Sequence, residues 1–235
     1  ISGGFGPKWS KDPSTRASLR VATPQGRPAF DQRGGSLLLR RLDIAVDSAG
    51  QVPIFAASSS SFDIDDSSVT AGAEGDLVFV SAQNSRISLS GSRIAATKAM
   101  ACTVFSSDSS EISITSSSIS SGRGVRIFGA FDMDGGSLSL RESLVESGSD
   151  LGLSMLSLRS ASLLVDRSLL TAEGGSGFLR IGSFKAVKGE IKNSKVLLSW
   201  KGPGTLFEIS GGGPAFRHDT IVADSTNGGL RFFDT

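Results

Sequence analysis

The chain is poor in the residues that most often carry chemistry. Its 235 residues include one cysteine, one histidine, two tryptophans and no tyrosine. A single cysteine, Cys102, excludes an internal disulfide. A single histidine, His218, excludes a multi-histidine metal site and leaves little support for acid–base catalysis. No run of about 18 apolar residues occurs, so no membrane-spanning helix is expected. Neither charge sign dominates: Lys+Arg 24 against Asp+Glu 23 leaves +1, which gives no reason to expect nucleic acid as a partner. An initiator methionine and a signal-peptide pattern are also lacking. The chain opens on Ile1-Ser2-Gly3-Gly4-Phe5, already inside a repeat, and reads as one domain over 1–235 taken from a longer protein.

What is present is periodicity. One column of mostly apolar residues recurs every 25 or 26 positions: Phe5, Phe30, Phe55, Val80, Phe105, Phe131, Leu156, Ile181, Phe207 and Phe233. A second column keeps the same spacing through Leu19, Ile44, Val69, Ile94, Ile119, Val145, Leu170, Val196 and Val222. Columns that hold phase from end to end mark a repeat architecture. Within each repeat, apolar residues alternate with Ser or charged residues, as in Glu111-Ile112-Ser113-Ile114-Thr115, and Gly/Ser/Asp clusters punctuate the runs. That period of two reads as short half-buried strands joined by tight corners, with no helix.

A short strand cannot bury an apolar face alone. If each repeat is one coil, each strand stacks in parallel on its equivalent at about 4.8 Å, and the columns merge into a continuous core. Parallel connections are overwhelmingly right-handed. The expectation is an all-β, single-stranded right-handed parallel β-helix of about nine coils of 25–26 residues, roughly 43 Å long. A leucine-rich repeat has a compatible period, but leucine does not dominate the columns and both halves of the repeat look like strand.

In this frame most polar residues have structural readings. Ser67, Ser92, Ser117, Ser143, Ser168, Ser194 and Thr220 form a hydroxyl column suited to a tight corner, with no histidine at a fixed offset to activate any serine. Two residues before it runs Arg40, Asp65, Ser90, Thr115, Arg141, Asp166, Lys192 and His218. The next slot runs Arg41, Asp66, Gly91, Ser116, Glu142, Arg167, Asn193 and Asp219. Neighbouring coils should pair Arg40 with Asp65, Arg41 with Asp66, Arg141 with Asp166 and Glu142 with Arg167. Asp65-Asp66 therefore reads better as an ion-paired feature than as a metal or acid–base pair, although an enzyme on this fold would place its acids there or at Arg217-His218-Asp219. Cys102 fills a slot taken elsewhere by Val52, Leu77, Phe128, Leu153 and Leu179, and reads as a buried thiol. Trp9 and Trp200 are candidates for stacking on sugars, and Arg217-His218-Asp219 for a small site. Gly211-Gly212-Gly213-Pro214 lacks a following Lys-Ser/Thr and reads as a turn.

The repeat resembles the pectate-lyase-like superfamily of right-handed β-helices. The opening Gly3-Gly4-Phe5, with Trp9 and Asp12-Pro13, resembles segments of large secreted or surface-exposed bacterial β-helix proteins of uncharacterised role. The resemblance implies an extracellular or bacterial cell-envelope location, at the outer surface or in the periplasm. The catalytic motifs of the superfamily do not carry over. Arg180-Ile181 continues with Gly182 where polygalacturonase-like enzymes have Arg-Ile-Lys, and His218 lies between Arg217 and Asp219 instead of two glycines. The reading is a non-catalytic structural or interaction module, adhesin-like or stalk-like. No catalytic, cofactor or metal residue is assigned, and a glycan or a cell-surface protein is the expected partner. End-to-end self-association is a further expectation, because open strand edges invite stacking. The alternative is a polysaccharide-active lyase or hydrolase, or a carbohydrate-binding module, on the same fold.

Overall fold

The computed structural model describes residues 16–22, 27–47, 52–225 and 230–234. Phe5, Trp9 and Asp12-Pro13 lie outside the described residues. The described chain is all strand and turn with no helix, and every strand pairing is parallel. It winds as a parallel β-solenoid of about eight turns, close to the nine coils expected.

Each turn has three faces. The first face stacks Ala17–Ala22, Leu42–Asp47, Ser68–Gly72 and their successors as far as Thr220–Ser225. The second stacks Phe30–Arg33, Pro53–Ser58, Leu77–Gln83 and onward to Leu230–Asp234. The third is an 8-stranded sheet of short strands, from Ser36–Arg40 to Ala215–Arg217. The first two faces form one 16-stranded sheet because Arg93–Asp108 and Ser118–Asp134 run through the corner between them unbroken.

The core follows from the alternation. On the first and third faces every second side chain points inward, as in Glu111–Thr115, whose Ile112 and Ile114 are buried. The second face breaks that rule with pairs of consecutive buried residues: Ile54-Phe55, Phe79-Val80, Val104-Phe105, Ala130-Phe131, Met155-Leu156 and Leu206-Phe207. Phenylalanines stack down this column, Phe30 on Phe55 at 4.8 Å and Phe105 on Phe131 at 5.2 Å between ring centroids.

These consecutive pairs explain one misplacement. Leu156 registers with Gly182 and not with Ile181, and Gly182 registers with Phe207. Ile181 is buried one position earlier, and where the second-face column lacks a side chain at Gly182 the Phe184 ring occupies the space. Phe184 stacks on Phe207 at 6.2 Å. With two adjacent positions both apolar, spacing alone does not distinguish the column from its neighbour.

The last turn holds the other misplacements. Its register on the first face is Val196↔Ile221 and Leu197↔Val222, so Ile221 rather than Val222 continues the aliphatic column. On the third face Lys192 faces Arg217, not His218. The spacing here is one residue shorter than at Phe207↔Phe233 on the second face, and one uniform spacing moves every first- and third-face assignment by one.

Both tight corners use the left-handed region. From the third to the first face the chain turns at Arg41, Asp66, Gly91, Ser116, Glu142, Arg167, Asn193 and His218, all with φ between 45° and 56°. From the second to the third face it turns at Gly34, Ser59, Asn84, Ser109, Gly135, Ser160, Ala186 and Gly211. A left-handed non-glycine residue costs about 1–2 kcal/mol. Hydrogen bonds between turns offset this cost, such as that from the Asp66 N–H to the Ser90 carbonyl at 2.9 Å.

Candidate functional site

The serine column lies just inside the first of these corners and is structural. Strand pairing lapses there, and each serine N–H points toward the next turn with no carbonyl to receive it. The Oγ one turn on receives it instead: Ser67 N–H to Ser92 Oγ at 3.0 Å, Ser92 to Ser117 at 3.0 Å, Ser117 to Ser143 at 3.3 Å, Ser143 to Ser168 at 3.2 Å and Ser168 to Ser194 at 3.2 Å. Each of these hydroxyls donates to the carbonyl two residues before it, as Ser143 does to Arg141 at 2.7 Å. All six serines are buried and both functions of each Oγ are engaged. A nucleophile needs a free, activated oxygen, and these are neither.

The ladder ends on Asp219, not Thr220. The Asp219 Oδ1 accepts the Ser194 N–H at 2.8 Å and Oδ2 accepts the Arg217 N–H at 3.0 Å. That carboxylate is thus turned onto the backbone, while His218 occupies the exposed left-handed corner and Arg217 reaches Glu190 at 3.7 Å. The Arg217-His218-Asp219 candidate is dispersed by the fold.

The charge pairs mostly form. Arg40 meets Asp65 at 2.7 Å, Arg41 meets Asp66 at 3.6 Å, and Arg167 meets Glu142 at 2.8 Å. Asp66 also takes Arg16 at 2.6 Å, so the Asp65-Asp66 pair is held by three arginines. Arg141 and Asp166 are register partners but form no ion pair: the Asp166 carboxylate turns to Asn193 at 3.2 Å and Arg167 at 3.7 Å. No cluster of three or more potential metal ligands occurs among the described residues.

Trp200 is not a sugar platform. It is a core residue at 1 % exposure, its ring lies over Gly175, and its Nε1 donates to the Gly177 carbonyl at 3.0 Å. Cys102 registers with Leu77 and Phe128, and burial pushes its thiol up to about 12. That leaves it protonated and unreactive at neutral pH. Gly211 and Gly212 form a turn, with φ of 67° and 122°.

Several polar features were missed. A second ladder, Ser60, Ser85 and Ser110, repeats the device at the corner from the second to the third face: Ser60 N–H to Ser85 Oγ and Ser85 N–H to Ser110 Oγ, both at 3.2 Å. Its three members at equal spacing were visible in the Ser-rich runs. Inside the wide corner between the first and second faces, Ser121, Ser147 and Ser149 form a buried hydroxyl network, with Ser147 and Ser149 2.9 Å apart.

Two surface concavities stand out. A shallow groove of about 770 Å³ runs along the solenoid outside the main serine ladder. Left-handed corner residues, including Glu142, Arg167 and Asn193, form one wall, and the outward column Arg93, Ser118, Leu144, Leu169 and Lys195 forms the other. A hollow of about 550 Å³ lies at the wide corner, floored by Gly122, Gly148 and Gly174. Glu146, Asp150, Glu173, Arg123 and Lys201 line it, none of them in an ion pair among the described residues. This convergence is not legible from sequence, because variable corner residues carry no periodic signal.

No protein-family model matches the chain, and comparison with curated proteins and with solved structures finds no match.

Proposed function

We propose that the chain is a non-catalytic structural and interaction module, adhesin-like or stalk-like, of a bacterial secreted or cell-envelope protein. The observation that carries this reading is continuity along the axis: one hydroxyl ladder with ion pairs beside it joins turn after turn from Leu42 to Asp219. Such a design gives a rod whose faces present repeating surface and whose polar residues serve the stack. The bacterial surface location and the place within the pectate-lyase-like superfamily rest on the resemblance in repeat pattern and in the Gly3-Gly4-Phe5 segment.

The second reading, a polysaccharide-active or carbohydrate-binding module, is favoured by the hollow at the wide corner, where three carboxylates and two cations converge. Turnover assays on acidic and neutral polysaccharides, with a glycan array, separate the two. The module reading expects no cleavage. Saccharide cleavage that disappears in Glu146→Gln or Glu173→Gln would establish the enzyme instead.

A further inference from the structure

We infer that the groove outside the main serine ladder is a docking site for an extended acidic polypeptide segment with aliphatic side chains at its centre. This inference rests on the interaction-module reading and gives that module a partner chemistry.

One wall of the groove is a single register column on the first face, Arg93↔Ser118↔Leu144↔Leu169↔Lys195. It reads cation, hydroxyl, leucine, leucine, cation. The two cations are four turns apart, about 19 Å at the strand spacing of a stacked sheet. Neither the Arg93 guanidinium nor the Lys195 ammonium has a carboxylate or hydrogen-bond partner among the described residues, whereas Arg40, Arg86 and Arg167 are each matched with an acid on a neighbouring turn. Leu144 and Leu169 are half-buried between them, and Leu197, 37 % exposed, extends the aliphatic surface.

The opposite wall does not cancel this charge. Glu142 is neutralised by Arg167 at 2.8 Å, and Arg16, beyond the Arg93 end, is held by Asp43 and Asp66. The floor is sealed, since the ladder hydroxyls are engaged with the backbone. Recognition therefore falls to two cations and an aliphatic centre. An extended chain rises about 3.3 Å per residue, so side chains six residues apart on one face span the distance between the cations. Among the described residues the groove has no aromatic surface for a sugar ring and offers branched aliphatics, which favours a peptide over a glycan.

The test uses the purified chain and a fluorescein-labelled heptapeptide, Glu-Thr-Leu-Thr-Leu-Thr-Glu, read by anisotropy. A Lys-ended version serves as the reversed-charge control and polygalacturonate as a competitor. The acidic peptide should bind saturably, and the Lys-ended one should not. Affinity should weaken about tenfold as salt rises from about 0.1 M to about 1 M, where the screening length falls from about 10 Å to about 3 Å. The outward-facing pair Arg93→Glu and Lys195→Glu, with an unchanged circular dichroism spectrum, should weaken binding at least about tenfold. Leu144→Ser with Leu169→Ser should weaken it without changing the salt dependence. No saturable binding up to millimolar peptide, equal binding of both peptides, or indifference to the charge reversal would overturn the inference. So would binding of polygalacturonate without binding of the peptide. Failure of peptide binding with no saccharide turnover leaves the module reading in place, because that reading is decided by the cleavage assay.

Discussion

The two tight corners of the solenoid start from the same device and end differently. At the corner from the third to the first face, a left-handed residue followed by a buried hydroxyl recurs from Ser67 to Ser194 and closes on Asp219. At the corner from the second to the third face, the hydroxyls stop at Ser110, and Gly136, Ala161 and Val187 take the slot. Ala161 and Val187 are buried apolar side chains, so there the slot serves the core. At Gly136 the turns approach so closely that a Cβ would land on the Ser110 carbonyl oxygen. A corner slot one residue past a left-handed bend can thus be filled in three ways: by an Oγ that satisfies backbone, by a small apolar group, or by nothing where backbone meets backbone. What the three share is smallness or burial. The complete ladder marks the corner where backbone N–H groups depend on side chains from Leu42 to Ser194, whereas at the other corner they do so only at Ser60 and Ser85 among the described residues.

The largest effect should come from breaking the close approach. Gly136→Ala adds a Cβ against backbone at a residue with φ of 76°. The combined clash and left-handed strain should cost about 3 kcal/mol or more, read by urea or thermal denaturation. Next in size is the hydroxyl corner itself. Ser143→Ala strips the buried Ser117 N–H of its acceptor, while the Arg141 carbonyl keeps the Ser116 N–H, and should cost about 1–3 kcal/mol. The reciprocal change at the other corner, Ala161→Ser, should shift stability by less than about 1 kcal/mol, because a hydroxyl there can donate to the carbonyl two residues back as Ser110 does. An equal loss from Ser143→Ala and Ala161→Ser would erase the distinction between the corners. The smallest effect belongs to the surface: Glu142→Gln removes a half-exposed ion pair and should cost about 0.2–1 kcal/mol, fading at high salt.

Much of the fold was legible because the repeat is strict where side chains are buried. The columns through Phe55 and Phe131, and through Ile44 and Leu170, are fixed by burial, and burial imposes period on sequence. The serine ladder was legible for the same reason, as its hydroxyls are interior. Legibility fails where burial stops deciding. Spacing does not separate Ile181 from Gly182 because the second face buries two consecutive positions. A uniform spacing points to Thr220 instead of Asp219 because the last turn uses two spacings. Trp200, beside Gly202 and Pro203, looks like a loop residue in sequence, yet Gly175 one turn earlier makes room for its ring in the core. The groove charges and the hollow with Glu146 and Glu173 lie on variable outward positions, where period carries no information about neighbours.

The central claim is that the serines form a structural ladder in which each hydroxyl serves the backbone of the turn before it. Residue-resolved amide hydrogen exchange on Ser143→Ala tests it most directly. The account expects the Ser117 amide, which loses its acceptor, to exchange much faster than in the unsubstituted chain, while the Ser92 amide, still bonded to Ser117 Oγ, keeps its protection. Equal protection of the Ser117 amide in both proteins would contradict the ladder.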